Sequence, residues 1–274
     1  MTNRPYKLLV SDIDGTLIDK NGNISPQTND AIALAQQAGI TVSLSTGRAI
    51  TSTLRYIREL ELDNFHIFFD GALVSRPSTG ERIVARFIDP VVVREMVLFS
   101  DEKRIDLELF TTSNAYSARE TWSTDVKARF FEEETTIGDL NGIWEHEEII
   151  RAQIATKIED KRLRIAEFDG HFHDCLDYVI AGSPAYPEAA FINIIAKGVS
   201  KGSALKTLAA HIGLRPEEVV AVGDWINDIS LLSAAGLSIA MGNAVDELKQ
   251  VADHITLDVE EHGLAKAIHE FILT

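Results

Sequence analysis

The stretch that decides the fold is Lys7-Leu8-Leu9-Val10-Ser11-Asp12-Ile13-Asp14-Gly15-Thr16-Leu17. Its first half is apolar and rich in strand formers, and it predicts a buried β-strand. Asp12 and Asp14, one residue apart, follow that strand directly. Two carboxylates held together at the end of a buried strand are unfavourable unless a cation or a proton compensates them. Because ligands of open parallel sheets bind just outside the carboxyl ends of the strands, this stretch predicts a functional site.

Composition limits the classes of protein that the chain can belong to. The 274 residues are 45% hydrophobic and carry a formal net charge of −16, which favours a folded protein and argues against a nucleic-acid partner. The single cysteine, Cys175, allows no internal disulfide and indicates a reducing compartment. The start of the sequence lacks the pattern of a signal peptide, and no apolar run reaches membrane-spanning length. We therefore expect a soluble, cytoplasmic protein with no membrane partner, and the oligomeric state stays open.

The order of the predicted elements indicates the fold class. Strand, helix, strand, helix and strand alternate from residue 7 to residue 69, ending in Asp70-Gly71. This alternation is typical of a parallel, right-handed α/β sheet. The sequence predicts a doubly wound, Rossmann-like parallel-sheet core.

A second region interrupts that alternation. Strands and helices mix irregularly over residues 84–189, whereas the regular pattern returns with a predicted strand at Phe191–Ile195. We therefore predict a core domain formed by residues 1–83 and 190–274, with an α/β domain of residues 84–189 inserted in it.

Polar residues of complementary kinds follow the ends of predicted core elements, namely Asp12, Asp14, Thr46, Lys201, Asp224, Asn227 and Asp228. In a parallel sheet these ends converge on one edge. Carboxylate oxygens are ligands that Mg²⁺ prefers, and Asp12 and Asp224 are the natural pair. Thr46, Lys201 and the N–H groups of the loop after Asp12 can bind phosphate oxygens.

This combination predicts phosphoryl chemistry. A metal-bound carboxylate beside a phosphate can attack phosphorus and form an aspartyl phosphate. A second carboxyl two residues further along can protonate the leaving oxygen and then take a proton from water. These roles assign Asp12 as the nucleophile and Asp14 as the general acid and base.

The motifs together resemble a known family. The segment Asp12-Ile13-Asp14-Gly15-Thr16-Leu17 is similar to the first motif of the haloacid dehalogenase-like phosphatases. The other three motifs of that family are matched, in order, by Ser45-Thr46-Gly47-Arg48, Ser200-Lys201-Gly202, and Gly223-Asp224 with Asn227-Asp228. The segment Met241-Gly242-Asn243-Ala244 and the long insert resemble the Cof-type branch, in which the insert is an α/β cap over the active site.

The resemblance implies a specific site. It implies Mg²⁺ bound by Asp12, Asp224 and the main-chain oxygen of Asp14. It further implies phosphate contacts from Thr46, Lys201 and the N–H groups of Ile13 and Gly47, a substrate contact from Asn227, and an orienting role for Asp228 toward Lys201. One departure concerns the third predicted strand, because Asp70-Gly71-Ala72 stands where the branch usually has Asn-Gly-Ala.

The sequence thus predicts a Mg²⁺-dependent phosphatase that acts on a small phosphorylated metabolite, such as a sugar phosphate. Two alternatives use the same residues: a phosphomutase with the same aspartyl phosphate, and a non-catalytic phospho-accepting signalling module. Substrate selection is expected from the insert, where the possible contacts are Tyr116, Arg119, Trp122 and Arg151.

Four other residues carry weaker expectations. Trp225, inside the fourth motif, is predicted either in the core or on the rim of the site. His171 and His173 have strand spacing and are expected on the surface, and Cys175 is expected as a small apolar filler.

Overall fold

The computed structural model describes residues 6–131, 134–181 and 188–273. These fall into two compact units. The first unit comprises the described residues up to Gly47, Arg55–Val84, and those from Ser200 onward. The second comprises the described residues of Arg48–Leu54 and Ala85–Val199.

The strands are named in chain order. They are β1 (Leu8–Ser11), β2 (Thr41–Leu44), β3 (His66–Phe68), β4 (Leu73–Arg76), β5 (Glu81–Ala85), β6 (Leu107–Phe110), β7 (Ala115–Ser117), β8 (Thr135–Ile137), β9 (Arg151–Lys157), β10 (Leu176–Ala181), β11 (Ala189–Ala196), β12 (Val219–Gly223), β13 (Leu237–Ala240) and β14 (His254–Ile255).

The α-helices are named in the same way. They are α1 (Pro26–Gln37), α2 (Leu54–Glu59), α3 (Pro90–Lys103), α4 (Trp122–Val126), α5 (Ile143–His146), α6 (Lys161–Phe172), α7 (Lys201–His211), α8 (Ile229–Leu232), α9 (Asp246–Lys249) and α10 (Gly263–Ala267). In the part of the chain that the structure describes, no helix is long and apolar enough to cross a membrane.

The first unit is built on a five-stranded sheet of order β14-β13-β12-β1-β2. Every neighbouring pair in it is parallel, which confirms the predicted parallel α/β fold. Strand β1 is fully buried between β12 and β2. Ser11, its last residue, pairs with Val222 on one side and Leu44 on the other. The carboxyl ends of these three strands therefore lie at one edge of the sheet.

The predicted third strand of this sheet takes a different position. Strand β3 pairs antiparallel with β4 in a separate sheet of order β3-β4-β5, and a single parallel bridge between Ser45 and Ile67 links it to the end of β2. The chain reverses at Phe69, Asp70 and Gly71, which have φ angles of +50°, +54° and +103°. Three consecutive left-handed residues turn the chain back on itself, so the strand that follows runs antiparallel.

The second unit contains a six-stranded sheet of order β10-β11-β9-β6-β7-β8. Its neighbouring strands are antiparallel except for β7 and β8. An apolar core that includes Met96, Leu109, Ile154 and Phe168 joins this sheet to α3 and α6.

The predicted domain boundary near residue 189 differs from the division between the units. The strand predicted at Phe191–Ile195 is β11, which pairs antiparallel with β9 and β10 in the second unit rather than in the core. The core therefore resumes at Ser200 and not at residue 190. Seven of the eight β11 residues are buried, and such an apolar run looks the same in the middle of either kind of sheet.

Two expectations for the end of α6 are only partly met. His171 and His173 are exposed, as expected, but they lie in and directly after a helix rather than in a strand. Cys175 is exposed and not a buried filler. It lies in the turn between α6 and β10, where its N–H donates to the carbonyl oxygen of Phe172.

Candidate active site

The end of β1 holds Asp12 in a fixed position. Its N–H donates to the Val222 carbonyl at 2.9 Å, which extends the pairing with β12 by one residue. On the other side, the Ser45 N–H donates to the Ser11 carbonyl at 2.9 Å. The Asp12 side chain is consequently held at the edge where β1, β2 and β12 end, and it is 6% exposed.

The loop after Asp12 is a tight turn. The Ile13 carbonyl accepts hydrogen bonds from the N–H groups of Leu17 at 2.9 Å and Ile18 at 3.0 Å. Gly15 has a φ of +82°, and a Cβ added there would lie 2.3 Å from Oδ2 of Asp224. Glycine is needed at this position both for the backbone angle and for the close approach of the carboxylate.

Lys201 is the first residue of α7. The helix is capped by Ser200, whose side chain accepts the Ser203 N–H at 3.1 Å. The Lys201 side chain is 1% exposed, and its Nζ donates to Asp12 Oδ1 and to Asp228 Oδ1, each at 2.6 Å. Burial alone would lower the pKa of Lys201, but the carboxylates of Asp12 and Asp228 outweigh burial and raise it. The lysine therefore stays charged.

Asp228 organises the loop after β12. Its Oδ2 accepts the N–H groups of Asp224 at 3.0 Å and Trp225 at 3.1 Å, while its Oδ1 accepts from Lys201. A Cβ at Gly223 would lie 2.6 Å from the Asp228 side chain, so the loop folds closely around this carboxylate. The predicted pairing of Asp228 with Lys201 is seen directly.

Three carboxylates form a buried cluster at this edge. Asp12, Asp224 and Asp228 each offer an oxygen, and these oxygens all lie within 4.8 Å of one another. Burial raises the pKa of Asp12 to about 8, with further increases from Asp228 and Asp14 and a decrease from Lys201. Burial and the charge of Asp12 also raise the pKa of Asp224. The cluster has more negative charge than Lys201 balances, and its oxygen donors fit a divalent cation.

All three acids of the cluster accept hydrogen bonds from the protein. Both oxygens of Asp228 accept, from Lys201 and from the N–H of Asp224. Both oxygens of Asp224 also accept, at longer distances: Oδ1 from the Thr16 hydroxyl at 3.2 Å and Oδ2 from the Asn243 amide at 3.4 Å. Asp12 accepts from Lys201 through Oδ1. The assignment of Asp12 and Asp224 as the carboxylate ligands stays a prediction.

For two residues of the site, Thr16 and Asn243, no role was predicted from the sequence. Asn243 donates through Nδ2 to the Gly15 carbonyl at 2.8 Å, and its Oδ1 accepts the Val259 N–H at 3.0 Å. It thereby ties the turn after β1 to the segment after β14. Both residues lie inside motifs that pointed to the site. A motif does not show which groups the side chains of its residues contact, so their roles could not be predicted.

Asp70 links two of the predicted phosphate-binding segments. Its N–H donates to the Thr46 carbonyl at 3.1 Å, and its Oδ1 accepts Nδ2 of Asn227 at 3.0 Å. The carboxylate is 1% exposed. The residue that departs from the usual Asn-Gly-Ala pattern is thus part of the site.

The predicted site residues fall into three groups. Asp12, Lys201, Asp224 and Asp228 are joined by direct contacts or by the carboxylate cluster. Thr46 and Asn227 are connected through Asp70. The remaining predicted residues lie in the adjoining turns, namely Ile13, Asp14 and Gly47. The structure brings all of them to one edge of the sheet, with Asp14 outside the carboxylate cluster.

Trp225 lies beside the site and is 36% exposed, which favours the rim over the core. Its N–H is held by Asp228, so the indole is attached to a fixed backbone.

The four possible contacts predicted in the insert each have neighbours within the second unit. Arg119 forms an ion pair with Asp106, and the Tyr116 hydroxyl donates to Glu147 at 2.9 Å. Arg151 lies over the ring of Phe110, and Trp122 lies near Phe191. Their roles in substrate selection stay a prediction.

Comparison with known proteins identifies the family. The family model described as haloacid dehalogenase-like hydrolase matches residues 9–268. This chain belongs to the haloacid dehalogenase-like hydrolases. The match contains all four predicted motifs, and it confirms the family and the enzyme class predicted from the sequence.

Individual relatives extend this result over the whole chain. The phosphatase YwpJ of Bacillus subtilis is 30% identical, over 94% of this chain and 97% of that protein. The 5-amino-6-(5-phospho-D-ribitylamino)uracil phosphatase YitU of the same organism is 29% identical, over 99% of each. The solved structure of a haloacid dehalogenase-like hydrolase from B. subtilis has a TM-score of 0.84 at 26% identity, covering 97% of this chain and 99% of that one. This hydrolase is therefore similar to phosphatases of the family along its full length.

Proposed function

We propose that this hydrolase is a Mg²⁺-dependent phosphatase that cleaves a small phosphorylated metabolite, such as a sugar phosphate, through an aspartyl phosphate on Asp12. The observation that carries the proposal is the contact of Lys201 Nζ with both Asp12 and Asp228, beside Asp224. A buried lysine held against a carboxylate at a sheet edge is suited to bind an anion that the same carboxylate attacks. Its cytoplasmic location and its action without a membrane or nucleic-acid partner stay predictions.

In the first step, the free oxygen of the Asp12 carboxylate attacks phosphorus. The bond between phosphorus and the ester oxygen breaks, and Asp14 donates a proton to the departing oxygen. Lys201, Thr46 and Gly47 hold the phosphoryl oxygens during this step. The N–H of Ile13 supports the same role, since it donates to no group in the residues that the structure describes.

In the second step, the aspartyl phosphate is hydrolysed. Asp14, now ionised, takes a proton from a water molecule as that water attacks phosphorus. The bond between phosphorus and the Asp12 oxygen breaks, which releases inorganic phosphate and regenerates the carboxylate. Asp14 is only partly buried, so a water molecule can reach it.

Asp12, Asp224 and the main-chain oxygen of Asp14 are the proposed ligands of Mg²⁺. The bound ion would neutralise the clustered acids and the phosphate charge. Burial, with the neighbouring acids, raises the pKa values of Asp12 and Asp224, and a bound cation would favour their ionised forms.

One relative supports the class of substrate. YitU is named for a substrate with a phosphate on a ribityl chain, and this chain aligns with it over its full length. We therefore place a phosphomonoester of a small polyhydroxylated compound first among the substrates of this enzyme.

The test is phosphate release by the purified protein. We expect Mg²⁺-dependent release from p-nitrophenyl phosphate that stops with EDTA, and loss of turnover in Asp12→Asn. The exposed Asp30 on α1 supplies a matched control, since Asp30→Asn makes the same chemical change away from the site. Substantial turnover in Asp12→Asn would falsify the nucleophile assignment.

The two alternatives give different products in this assay. A phosphomutase would yield an isomeric sugar phosphate in place of free phosphate. A phospho-accepting signalling module would accumulate a long-lived phosphoprotein without turnover. Either product would replace the proposal of a phosphatase.

A further inference from the structure

We propose that Asp70 sets substrate specificity by fixing the orientation of the Asn227 amide, so that the site favours phosphomonoesters with a hydroxyl group on the leaving side. This inference rests on the proposed phosphatase function and specifies the chemistry of its leaving group. Asp70 is a positioning residue here, because it acts on the substrate only through Asn227.

The backbone at Asp70 is held in an uncommon conformation. Asp70 has a φ of +54°, and Phe69 before it has a φ of +50°. Such angles cost energy in residues other than glycine and persist only where the surroundings fix them. Here a Cβ at Gly71 would lie 2.2 Å from the Ser200 carbonyl oxygen, so the turn is packed against the start of α7. The position of the Asp70 carboxylate is therefore set by the fold.

An ionised carboxylate can only accept hydrogen bonds. The Asn227 atom that faces Asp70 must accordingly be the donor Nδ2, at 3.0 Å from Oδ1. The Asn227 carbonyl oxygen then points away from Asp70. An asparagine at position 70 could either donate or accept, so it would allow both orientations of the Asn227 amide.

This orientation determines what Asn227 offers to a substrate. The amide is partly exposed and presents its carbonyl oxygen together with its second N–H. A hydroxyl group both donates and accepts, so it matches this pair. The oxygens of a phosphate dianion carry no hydrogen and cannot use the carbonyl. A phosphate oxygen can use only the N–H of this pair, whereas a hydroxyl of the leaving group can use both groups. The fixed amide therefore favours a hydroxyl.

A matched pair of substrates tests the inference. D-ribitol 5-phosphate and n-pentyl phosphate have the same carbon chain, and only the first carries hydroxyl groups. We expect the ratio of their kcat/KM values to be well above one in the wild type, since sites built for a substrate hydroxyl discriminate strongly. Asp70→Asn should lower that ratio about tenfold, because the amide is then free to turn.

A second variant separates positioning from general damage. Asn227→Ala should lower the ratio at least as much as Asp70→Asn. The double variant should show no further decrease, because both changes remove the same contact. Asparagine tolerates left-handed φ angles, so Asp70→Asn is compatible with the turn, and thermal unfolding provides the check.

Two outcomes would overturn the inference while leaving the proposed function intact. One is an unchanged ratio in Asp70→Asn; the other is a double variant whose two effects multiply. In both cases the wild-type protein would still hydrolyse p-nitrophenyl phosphate. Failure of the proposed function itself would instead appear as no phosphate release from p-nitrophenyl phosphate by the wild-type protein.

Discussion

Both carboxylate oxygens of Asp228 accept hydrogen bonds, whereas Asp12 has one oxygen in contact with Lys201 and a second for chemistry. These two buried acids therefore differ in what they can do, although the sequence presents them as the same residue type. At the scale of single residues, these contacts support the proposed division of roles, in which Asp228 orients Lys201 and Asp12 attacks phosphorus.

Gly15 offers a direct test of this close packing. Gly15→Ala adds a Cβ that would lie 2.3 Å from Asp224 Oδ2, so the carboxylate must move. Gly39 has nearly the same φ, +83°, with nothing within 4 Å of an added Cβ. Both alanine variants should lose about 1 kcal/mol of stability from the left-handed backbone.

Only Gly15→Ala should also weaken Mg²⁺ binding, by tenfold or more, as measured by titration of activity against Mg²⁺. Equal Mg²⁺ affinity in Gly15→Ala and Gly39→Ala would show that the position of Asp224 does not depend on Gly15.

Residue types and their order were sufficient to predict Asp12, Lys201, Asp224 and Asp228 together. The role of Asp70 could not be predicted in the same way. Its importance depends on a left-handed turn that brings its carboxylate to Asn227, 157 residues further along the chain. No local sequence pattern encodes a contact of that kind. From the sequence, Asp70 could be recognised only as a departure from the usual Asn-Gly-Ala.

At the scale of elements, the first turn of α7 connects stability with activity. Ser200 caps this helix through the Ser203 N–H, and Lys201 follows directly. Helix α1 begins in a similar way, because the Ser25 side chain accepts the Thr28 N–H at 3.2 Å. Both helices begin with a serine N-cap, but only α7 has a residue of the site, Lys201, in its first turn.

This similarity gives a paired prediction. Ser200→Ala and Ser25→Ala should each lower the free energy of unfolding by about 1 kcal/mol, as expected for loss of an N-cap. Ser200→Ala should in addition lower kcat/KM several-fold, because the start of α7 positions Lys201 between its two carboxylates. If both variants lost activity equally, reduced stability alone would explain the effect.

The elements also show where sequence patterns stop being informative. Strand β1 was predictable because apolar residues end abruptly in Asp12. Strand β11 was predictable as a strand but not as a member of the second sheet, since it is buried on both faces, as a core strand of either sheet would be. Which partner such a strand chooses depends on residues far away in the chain, here those of β9 and β10.

At the scale of the whole molecule, the net charge of −16 is opposed to the binding of an anionic substrate. The four most buried acids of the site, Asp12, Asp70, Asp224 and Asp228, add to that field, and Lys201 is the buried cation that faces them. A divalent cation should therefore stabilise the folded protein as well as support catalysis.

We expect Mg²⁺ at one hundred times its dissociation constant to raise the free energy of unfolding by about 2.7 kcal/mol. Thermal unfolding with and without Mg²⁺ measures this effect independently of activity. Asp224→Asn should remove most of the stabilisation, and Asp30→Asn should keep it. If Mg²⁺ stabilised Asp224→Asn as much as it stabilises the wild type, Asp224 would not be a ligand of the ion.

Acid should destabilise the fold partly through His66. This side chain on β3 is fully buried, and its Nδ1 accepts the Leu44 N–H at 3.1 Å. Burial lowers the pKa of His66 to about 3. The folded state favours the neutral ring. The contribution of His66 to the free energy of unfolding is therefore complete above pH about 6.5, the ordinary pKa of histidine, and is lost as the pH falls toward 3.

Urea unfolding at several pH values between 6.5 and 4.5 checks this. His66→Gln should reduce the pH slope of the free energy of unfolding by up to about 1.4 kcal/mol per pH unit. His269→Gln makes the same substitution at an exposed position and provides the control variant. An identical slope in wild type and His66→Gln would show that His66 does not contribute.

The first unit is formed by separate segments of the chain, and this has a consequence for synthesis on the ribosome. Strand β1 emerges well before its neighbour β12, which begins at Val219. At about 5–20 residues per second, roughly 10–40 s pass before that partner is available. The apolar β1 strand has one unpaired edge during this interval and is open to aggregation or chaperone binding. The second unit, encoded mainly by one continuous segment, can complete its sheet earlier.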